Sequence, residues 1–375
     1  MQRLLCLDGL RGVLACYVML SHAVPFAALP TWVVSPFSHG GAAVDVFFIL
    51  SGLVIVQSLA NFDYQARPFL IARTARIFPV FLVVFALAVA VQPLSIGFER
   101  MPWIGPDAPA RFIWSDGWPS GWYLDIVSHL TMTHGLFPDG VRPHVWNSFL
   151  GAAWSLSTEW QFYVLAVMIG QRLGRGDAGL RHLAWLFLSI AGGALVWHAA
   201  TPEAWQFSRA FLPNKAQYFA LGVASAVMVR GRGQALGFYL AVLGASLALC
   251  LAWGGVDKLL PPLVWTGCLA AQIWPSHAAL RPLATTLCSR PLVWLGAVSY
   301  CVYLINEPIE KPLGVMLASM TGGDAALFTA LWLPAAVTLP LLAAWWLHVW
   351  IEAPALRRGR AIARREMAVV PVSAG

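Results

Sequence analysis

Leu7-Asp-Gly-Leu-Arg11-Gly-Val-Leu-Ala-Cys-Tyr-Val-Met-Leu-Ser-His22 is the stretch whose reading decides the fold. It is apolar enough for a membrane helix, yet it carries Arg11 near its start and His22 near its end. Eleven residues at about 100° each come to roughly 1100°, some 20° past three full turns, so both side chains share one face roughly 16 Å apart along the axis. An ionisable residue inside a membrane helix is costly and is a functional hypothesis by default. A cation at one end and a titratable base farther in suggest a path across part of the bilayer. Asp8, one turn before Arg11, is placed to pair with it.

The rest of the chain has the same character. Hydrophobic residues make up 59% of the 375, charged residues 11%, and mean hydropathy is +0.69. So few charges cannot cover a soluble protein of this size. The composition predicts an all-α, polytopic membrane protein. The net charge of +7 comes with no basic groove pattern and few lysines, which argues for membrane topology and against nucleic acid. Cys6, Cys16, Cys250, Cys268, Cys288 and Cys301 lie mostly in apolar runs without a CxxC. They read as small buried hydrophobes rather than disulfide partners or zinc ligands, and no metal site is expected. Arg11 interrupts the first apolar run, and no small-residue cleavage site follows it, so this segment is read as retained rather than as a signal peptide.

Ten spans are expected, near 8–27, 42–58, 77–95, 150–170, 183–200, 212–230, 235–253, 260–275, 293–318 and 326–352. With the N-terminus inside, 17 basic residues, among them Arg3, Arg67, Arg175 and Arg357, fall on the inner side and 7 on the outer. That bias supports ten spans with both termini cytoplasmic, and the inner (plasma) membrane is the expected location. Residues 1–356 form the transmembrane domain, and 357–375 a basic cytoplasmic tail whose arginines are expected at the inner leaflet without a catalytic part. The outer connection, about 96–149, holds Trp103, Trp114, Trp118 and Trp122 with Asp107, Asp116, Asp125 and Asp139. It reads as a headgroup-level aromatic belt or as a sugar-facing surface. His129 and His134, about 140° apart on a helix, would be poor joint metal ligands.

Four further stretches can carry chemistry. Asp45, in Gly40-Gly-Ala-Ala-Val-Asp-Val-Phe-Phe-Ile-Leu-Ser-Gly52, is either an N-terminal carboxylate favoured by the helix dipole or a partner that fixes the His22 tautomer. Ser51 and Gly52 read as a close helix contact. Arg73 and Arg76 share a helix face in the inner loop and serve either topology or an anion site, towards which Arg11 would converge. Glu159, in Trp154-Ser-Leu-Ser157-Thr-Glu159, is a costly intramembrane carboxylate at the depth of His22, and a functional role is favoured. Ser299, Tyr303 and Asn306 can share a face, lining a polar cavity or bonding neighbouring helices.

Taken together, these residues resemble the acyltransferase-3 family of integral-membrane acyltransferases. The resemblance rests on five motifs in order. They are Arg11-x10-His22, the run from Gly40 to Gly52, Arg73-x-x-Arg76, Trp-Ser-Leu-Ser-x-Glu ending at Glu159, and Leu-Gly-x-x-Ser-Tyr ending at Tyr300. It implies an acyl-CoA donor, usually acetyl-CoA, used from the cytoplasm, and a glycan hydroxyl as acceptor at or beyond the outer face. By position, His22 would be the catalytic base, and Arg11, Arg73 and Arg76 would serve the CoA end. Relatives often have histidine where Asn306 stands, so a role there is hydrogen bonding rather than proton transfer. No appended esterase-like domain follows in this sequence.

The expectation is a membrane O-acyltransferase, an O-acetyltransferase for an exported polysaccharide or lipid-linked sugar. In it His22 takes the acceptor proton, and Glu159 or Asp45 orients His22. Trp154, Ser157, Tyr303 and Asn306 are expected at the substrate. Direct transfer and an acyl-histidine relay both stay open, as does the oligomeric state, a homo-oligomer included. A glycan or lipid flippase would share the spans and the aromatic outer loop, but gives no reason for a cation and a histidine on one face.

Overall fold

A computed structural model describes residues 4–172 and 176–369; Arg3 and Arg175 of the charge tally and residues 370–375 of the tail lie outside the described residues. The first half of the chain holds α1 (Leu5–Ala23), α2 (Thr31–Val34), α3 (Gly40–Asn61), α4 (Ala66–Val91), α5 (Trp122–Leu130), α6 (Trp154–Gly170) and α7 (Asp177–Ala200). The second half holds α8 (Ala216–Arg230), α9 (Leu236–Gly254), α10 (Leu260–Ile273), α11 (Arg281–Leu287), α12 (Arg290–Thr321), α13 (Ala325–Leu347) and α14 (Ala353–Val369). Among the described residues there is no strand, only an isolated bridge between Pro138 and Phe207. The protein is all-α and multi-pass.

Every expected span coincides with a helix. Seven helical segments among the described residues are long and apolar enough to cross a membrane. The other three, α6, α8 and α10, have 17, 15 and 14 residues, short of the roughly 20 that a bilayer core needs. Each is directly preceded by a 3-10 turn, Gly151–Ala153, Leu212–Lys215 or Val256–Leu259, which lengthens the helical runs to 151–170, 212–230 and 256–273. Ala216 to Met228 of α8 are all buried, so that helix meets protein rather than lipid along its length.

Glycine sets the closest helix pairs. A Cβ on Gly296 of α12 would lie 1.9 Å from the Asp8 carbonyl oxygen, and one on Gly12 of α1 would lie 2.7 Å from that of Leu292. A Cβ on Gly52 would likewise come within 2.5 Å of the Phe219 carbonyl, and one on Gly222 within 2.0 Å of that of Ile49. The small-residue reading of Gly52 is explained by this α3–α8 contact, the device by which membrane helices approach backbone to backbone. On α1 and α12, Asp8 meets Gly296 and, later in both helices, His22 meets Asn306, so the two run parallel. Parallel packing requires an odd number of crossings between them. The long helices α3, α4, α7 and α9 alone do not provide that, so an odd number of α6, α8 and α10 must cross as well.

Two boundaries differ from the sequence reading. The third span was expected from residue 77, with Arg67, Arg73 and Arg76 in a loop, but α4 already starts at Ala66. Asp63 and Tyr64, both with positive φ, make the turn after α3, and Pro68 sits in the first turn of α4, where a missing N–H costs nothing. The expected basic tail is helical through α14, which follows a π-helical turn at His348–Glu352 and packs along α4. Gly359 abuts Ala75, and Glu366 pairs with Arg67 at 3.2 Å.

The tryptophans of the outer connection divide. Trp114 is buried against Phe26 and Trp332, and the Trp103 indole donates to the Phe26 carbonyl, whereas Trp118 and Trp122 are exposed. Asp125 is held by Arg142 at 2.7 Å. His129 and His134 stack with ring centroids 4.1 Å apart, because α5 ends at Leu130 and the chain folds back, so helical geometry does not reach His134. Burial pushes both imidazoles below their usual range, His134 to about 4.

Candidate active site

A cavity of about 1200 Å³ runs between α1, α3, α4, α6 and α12 and is closed along one side by α14. One end is cationic, lined by Arg11, Arg73, Arg76, Arg360 and Arg364 with Asp8. Other lining side chains are Phe47, Ser51, Ser58, Ser155, Glu159, Tyr163 and Tyr303.

The arginines are not equivalent. Arg76 is paired with Glu352, which also accepts from His348 at 2.7 Å and from the Cys301 thiol. The π-helical turn swings Glu352 inward to make these contacts. Arg11 sits 4.0 Å from Asp8. Arg73 donates to the Ser58 hydroxyl and lies over the Phe69 and Tyr163 rings, while its buried Nε has no hydrogen-bond partner among the described residues. A buried donor left unpaired is costly, and Arg73 is one of the arginines that line the cationic end of the cavity.

His22 lies one helical turn past Tyr303 and is not itself part of the cavity wall. Its Nδ1 is 2.7 Å from Asn306 Oδ1 and 3.4 Å from Glu307 Oε1. The fully buried Asn306 spends its amide nitrogen on the Val302 and Tyr303 carbonyls, at 3.0 and 2.7 Å. Turning that amide round would set its oxygen against two carbonyls, so Oδ1 must face His22 as an acceptor. In the neutral ring Nδ1 is therefore the protonated nitrogen and Nε2 the one with the lone pair, the tautomer a general base needs. Glu307 is anchored in turn by the Gly151 amide at 2.9 Å. It also lines a small polar pocket with Gln92, Ser115, Asn147 and Lys311. Glu307 thus ties His22 to the wall of that pocket, one helical turn beyond Tyr303 in the wall of the large cavity.

The carboxylates expected at His22 are elsewhere. Asp45, 2% exposed, pairs with Lys215 at 2.7 Å, and Lys215 lies over the Trp154 and Tyr218 rings. Glu159 lines the cavity but accepts from the hydroxyls of Ser51 at 2.8 Å and Tyr163 at 2.5 Å. Depth along the membrane matched both to His22, but helix packing turns each to another neighbour. Trp154 and Ser157 also lie off the cavity. Ser157 is fully buried, bonding the Met132 carbonyl and the Gly135 amide of the outer connection, and Trp154 packs on Phe48. Tyr303 does line the cavity, its hydroxyl bonded to Ser155 and the Ala152 carbonyl.

Sequence reasoning overlooked Glu307, although the cost that singled out Glu159 applies to any carboxylate in a span. It also overlooked Lys215 and Glu352, whose roles depend on which helices touch. No group of three or more His, Cys, Asp or Glu side chains able to hold a metal ion occurs among the described residues.

Helical spans packed around such a cavity define a multi-pass membrane protein, and comparison gives its class. The sequence profile of the acyltransferase-3 family, an acyltransferase domain, matches residues 4–349, and the chain belongs to that family. It is similar to Acyltransferase MdmB of Streptomyces mycarofaciens, 28% identical across 98% of this chain and 95% of that one. It is also similar to the O-acetyl transferase of Shigella phage Sf6, 27% identical across 50% of this chain and 52% of the phage protein. No solved structure matches the chain. The protein is a membrane acyltransferase.

Proposed function

We propose that this acyltransferase moves an acyl group, acetyl in the first instance, from cytoplasmic acyl-CoA to a sugar hydroxyl of an exported polysaccharide or lipid-linked glycan, with His22 as general base. The observation that carries the reading is the Asn306–His22 contact, which leaves the Nε2 lone pair free beyond a cavity whose other end is arginine-rich. Arg73, Arg76 and Arg11, which line one end of the cavity, supply counter-charge for the phosphates of CoA. The α14 face is then cytoplasmic. The acceptor comes from the opposite face, through the region where Glu307 lines its small pocket.

In the transfer, His22 Nε2 takes the hydroxyl proton as the acceptor oxygen bonds to the acyl carbon. The carbon–sulfur bond breaks, and the imidazolium returns the proton to the departing thiolate. Glu307 holds the imidazolium while it exists, and Asn306 holds the ring in place. The names of the relatives from Streptomyces and phage Sf6 support acyl and O-acetyl transfer.

The test is thermal unfolding of detergent-purified protein with acetyl-CoA, for the native chain and Arg73→Ala. A ligand that binds the folded state raises its apparent stability by mass action. Stabilisation by acetyl-CoA that weakens in Arg73→Ala is expected; no shift with acetyl-CoA or CoA would overturn the reading.

A further inference from the structure

Arg360 and Arg364, on the segment expected to be an idle tail, stand one turn apart on α14 and line the large cavity. Leu356, Arg360, Arg364 and Met367, at steps of four, four and three, form the face of α14 turned to that cavity. Gly359 and Ala363 are buried instead, Gly359 against Ala75 of α4. The two helices run antiparallel: Glu352 reaches Arg76, Gly359 lies on Ala75, and Glu366 pairs with Arg67. At 1.5 Å per residue, Arg360 lies about 12 Å and Arg364 about 18 Å from Glu352 towards the Arg67 end. The cations at the mouth are therefore ordered Arg76, Arg73, Arg360, Arg364 from within outward. Arg67 and Arg76 each hold a carboxylate, whereas Arg360 and Arg364 are exposed and form no ion pair with one among the described residues.

Resting on the acyl-CoA reading above, we infer that Arg360 and Arg364 bind the phosphomonoester at the nucleotide end of the donor. The thioester has to reach past Tyr303 towards His22, so the pantetheine arm points inward and the diphosphate follows it. The 3′-phosphate, farthest from the thioester, then meets the outermost arginines. A phosphomonoester carries close to two charges near pH 7, and two guanidinium groups one turn apart match its charge and offer paired N–H donors. A phosphate is also the charged group of an anionic lipid, so the experiment separates the two sources.

Detergent-purified full-length protein is titrated with CoA and with 3′-dephospho-CoA, thermal unfolding being the readout, for the native chain, Arg360→Ala/Arg364→Ala and Arg357→Ala/Arg358→Ala. The control pair removes equal charge from exposed positions of α14 that do not line the cavity. The native chain and the control prefer CoA by about tenfold, whereas Arg360→Ala/Arg364→Ala binds both ligands within about twofold and keeps its affinity for 3′-dephospho-CoA. Equal binding of the two ligands by the native chain, or a preference that survives in Arg360→Ala/Arg364→Ala, overturns the inference and leaves the acyl-CoA reading standing. The inference also fails if that variant loses stabilisation by phosphatidylglycerol while keeping the preference for CoA. Absence of any CoA binding by the native chain removes both.

Discussion

His22 Nδ1 and Asn306 Oδ1 lie 2.7 Å apart, and the Asn306 amide nitrogen is fully occupied by two carbonyls of its own helix. A non-titrating side chain therefore decides which histidine nitrogen is basic. Asn306→Leu removes that acceptor and frees the ring to take the other tautomer. We expect acyl transfer to fall by about 10²-fold, about 2.7 kcal/mol of barrier, with acetyl-CoA affinity within twofold of native. Asn306→Asp restores an acceptor and retains transfer within about tenfold of native. Equal activity of Asn306→Leu and the native chain would contradict the tautomer argument.

Asp45 and Lys215 form a buried pair, 3% and 13% exposed at their side chains, away from His22. Removing one partner leaves the other charge buried and costs about 3–5 kcal/mol. Asp45→Asn should thus lower the unfolding midpoint strongly, and Asp45→Asn/Lys215→Met should recover much of it. If Asp45→Asn kept native stability and lost transfer, the carboxylate would belong to the chemistry instead.

These contrasts show what was legible in the sequence. The apolar runs, the bias of the basic residues and Gly52 carried the helical membrane fold, because lipid leaves the backbone few alternatives. Arg11, Arg73 and Arg76 were legible as one cluster because each lies near the same end of its helix. The neighbours of His22 were not, because depth says nothing of rotation about a helix axis. Asp45 and Glu159 share the expected depth with His22 and still face other partners. The helical identity of α14 was hidden by its arginine-rich composition, and its cavity-lining face depends on how it packs against α4.

Gly296→Ala places a methyl group 1.9 Å from the Asp8 carbonyl, so α1 and α12 must separate. Overpacking of this kind costs about 1–3 kcal/mol, and here it also pulls His22 from Asn306. We expect a lower unfolding midpoint and a loss of transfer greater than the midpoint shift accounts for. Gly192→Ala on α7, where nothing lies within 4 Å of the added carbon, is the control and should be neutral. Native transfer by Gly296→Ala would show that the register of the two helices is not what aligns the site.

His129 and His134 give the outer segment an acid limit. Burial depresses both, so above the ordinary value near 6.5 both imidazoles are neutral whether folded or unfolded and they add no pH dependence to stability. As pH falls below that value the unfolded chain takes up protons that the folded chain does not, and stability drops until His134 titrates at about 4. The slope reaches about 1.4 kcal/mol per pH unit for each histidine. Unfolding midpoints between pH 7 and pH 4 should show this fall, and it should be shallower in His134→Gln. A pH-independent midpoint in the native chain would contradict it.

The most direct measurement is transfer of labelled acetyl from acetyl-CoA to de-O-acetylated surface polysaccharide by purified native protein and His22→Gln, with acetyl-CoA binding followed in parallel. The account predicts native-like binding by His22→Gln with transfer reduced by about 10²–10⁴-fold. Transfer by His22→Gln within tenfold of native would contradict it and move the proton-accepting role away from His22.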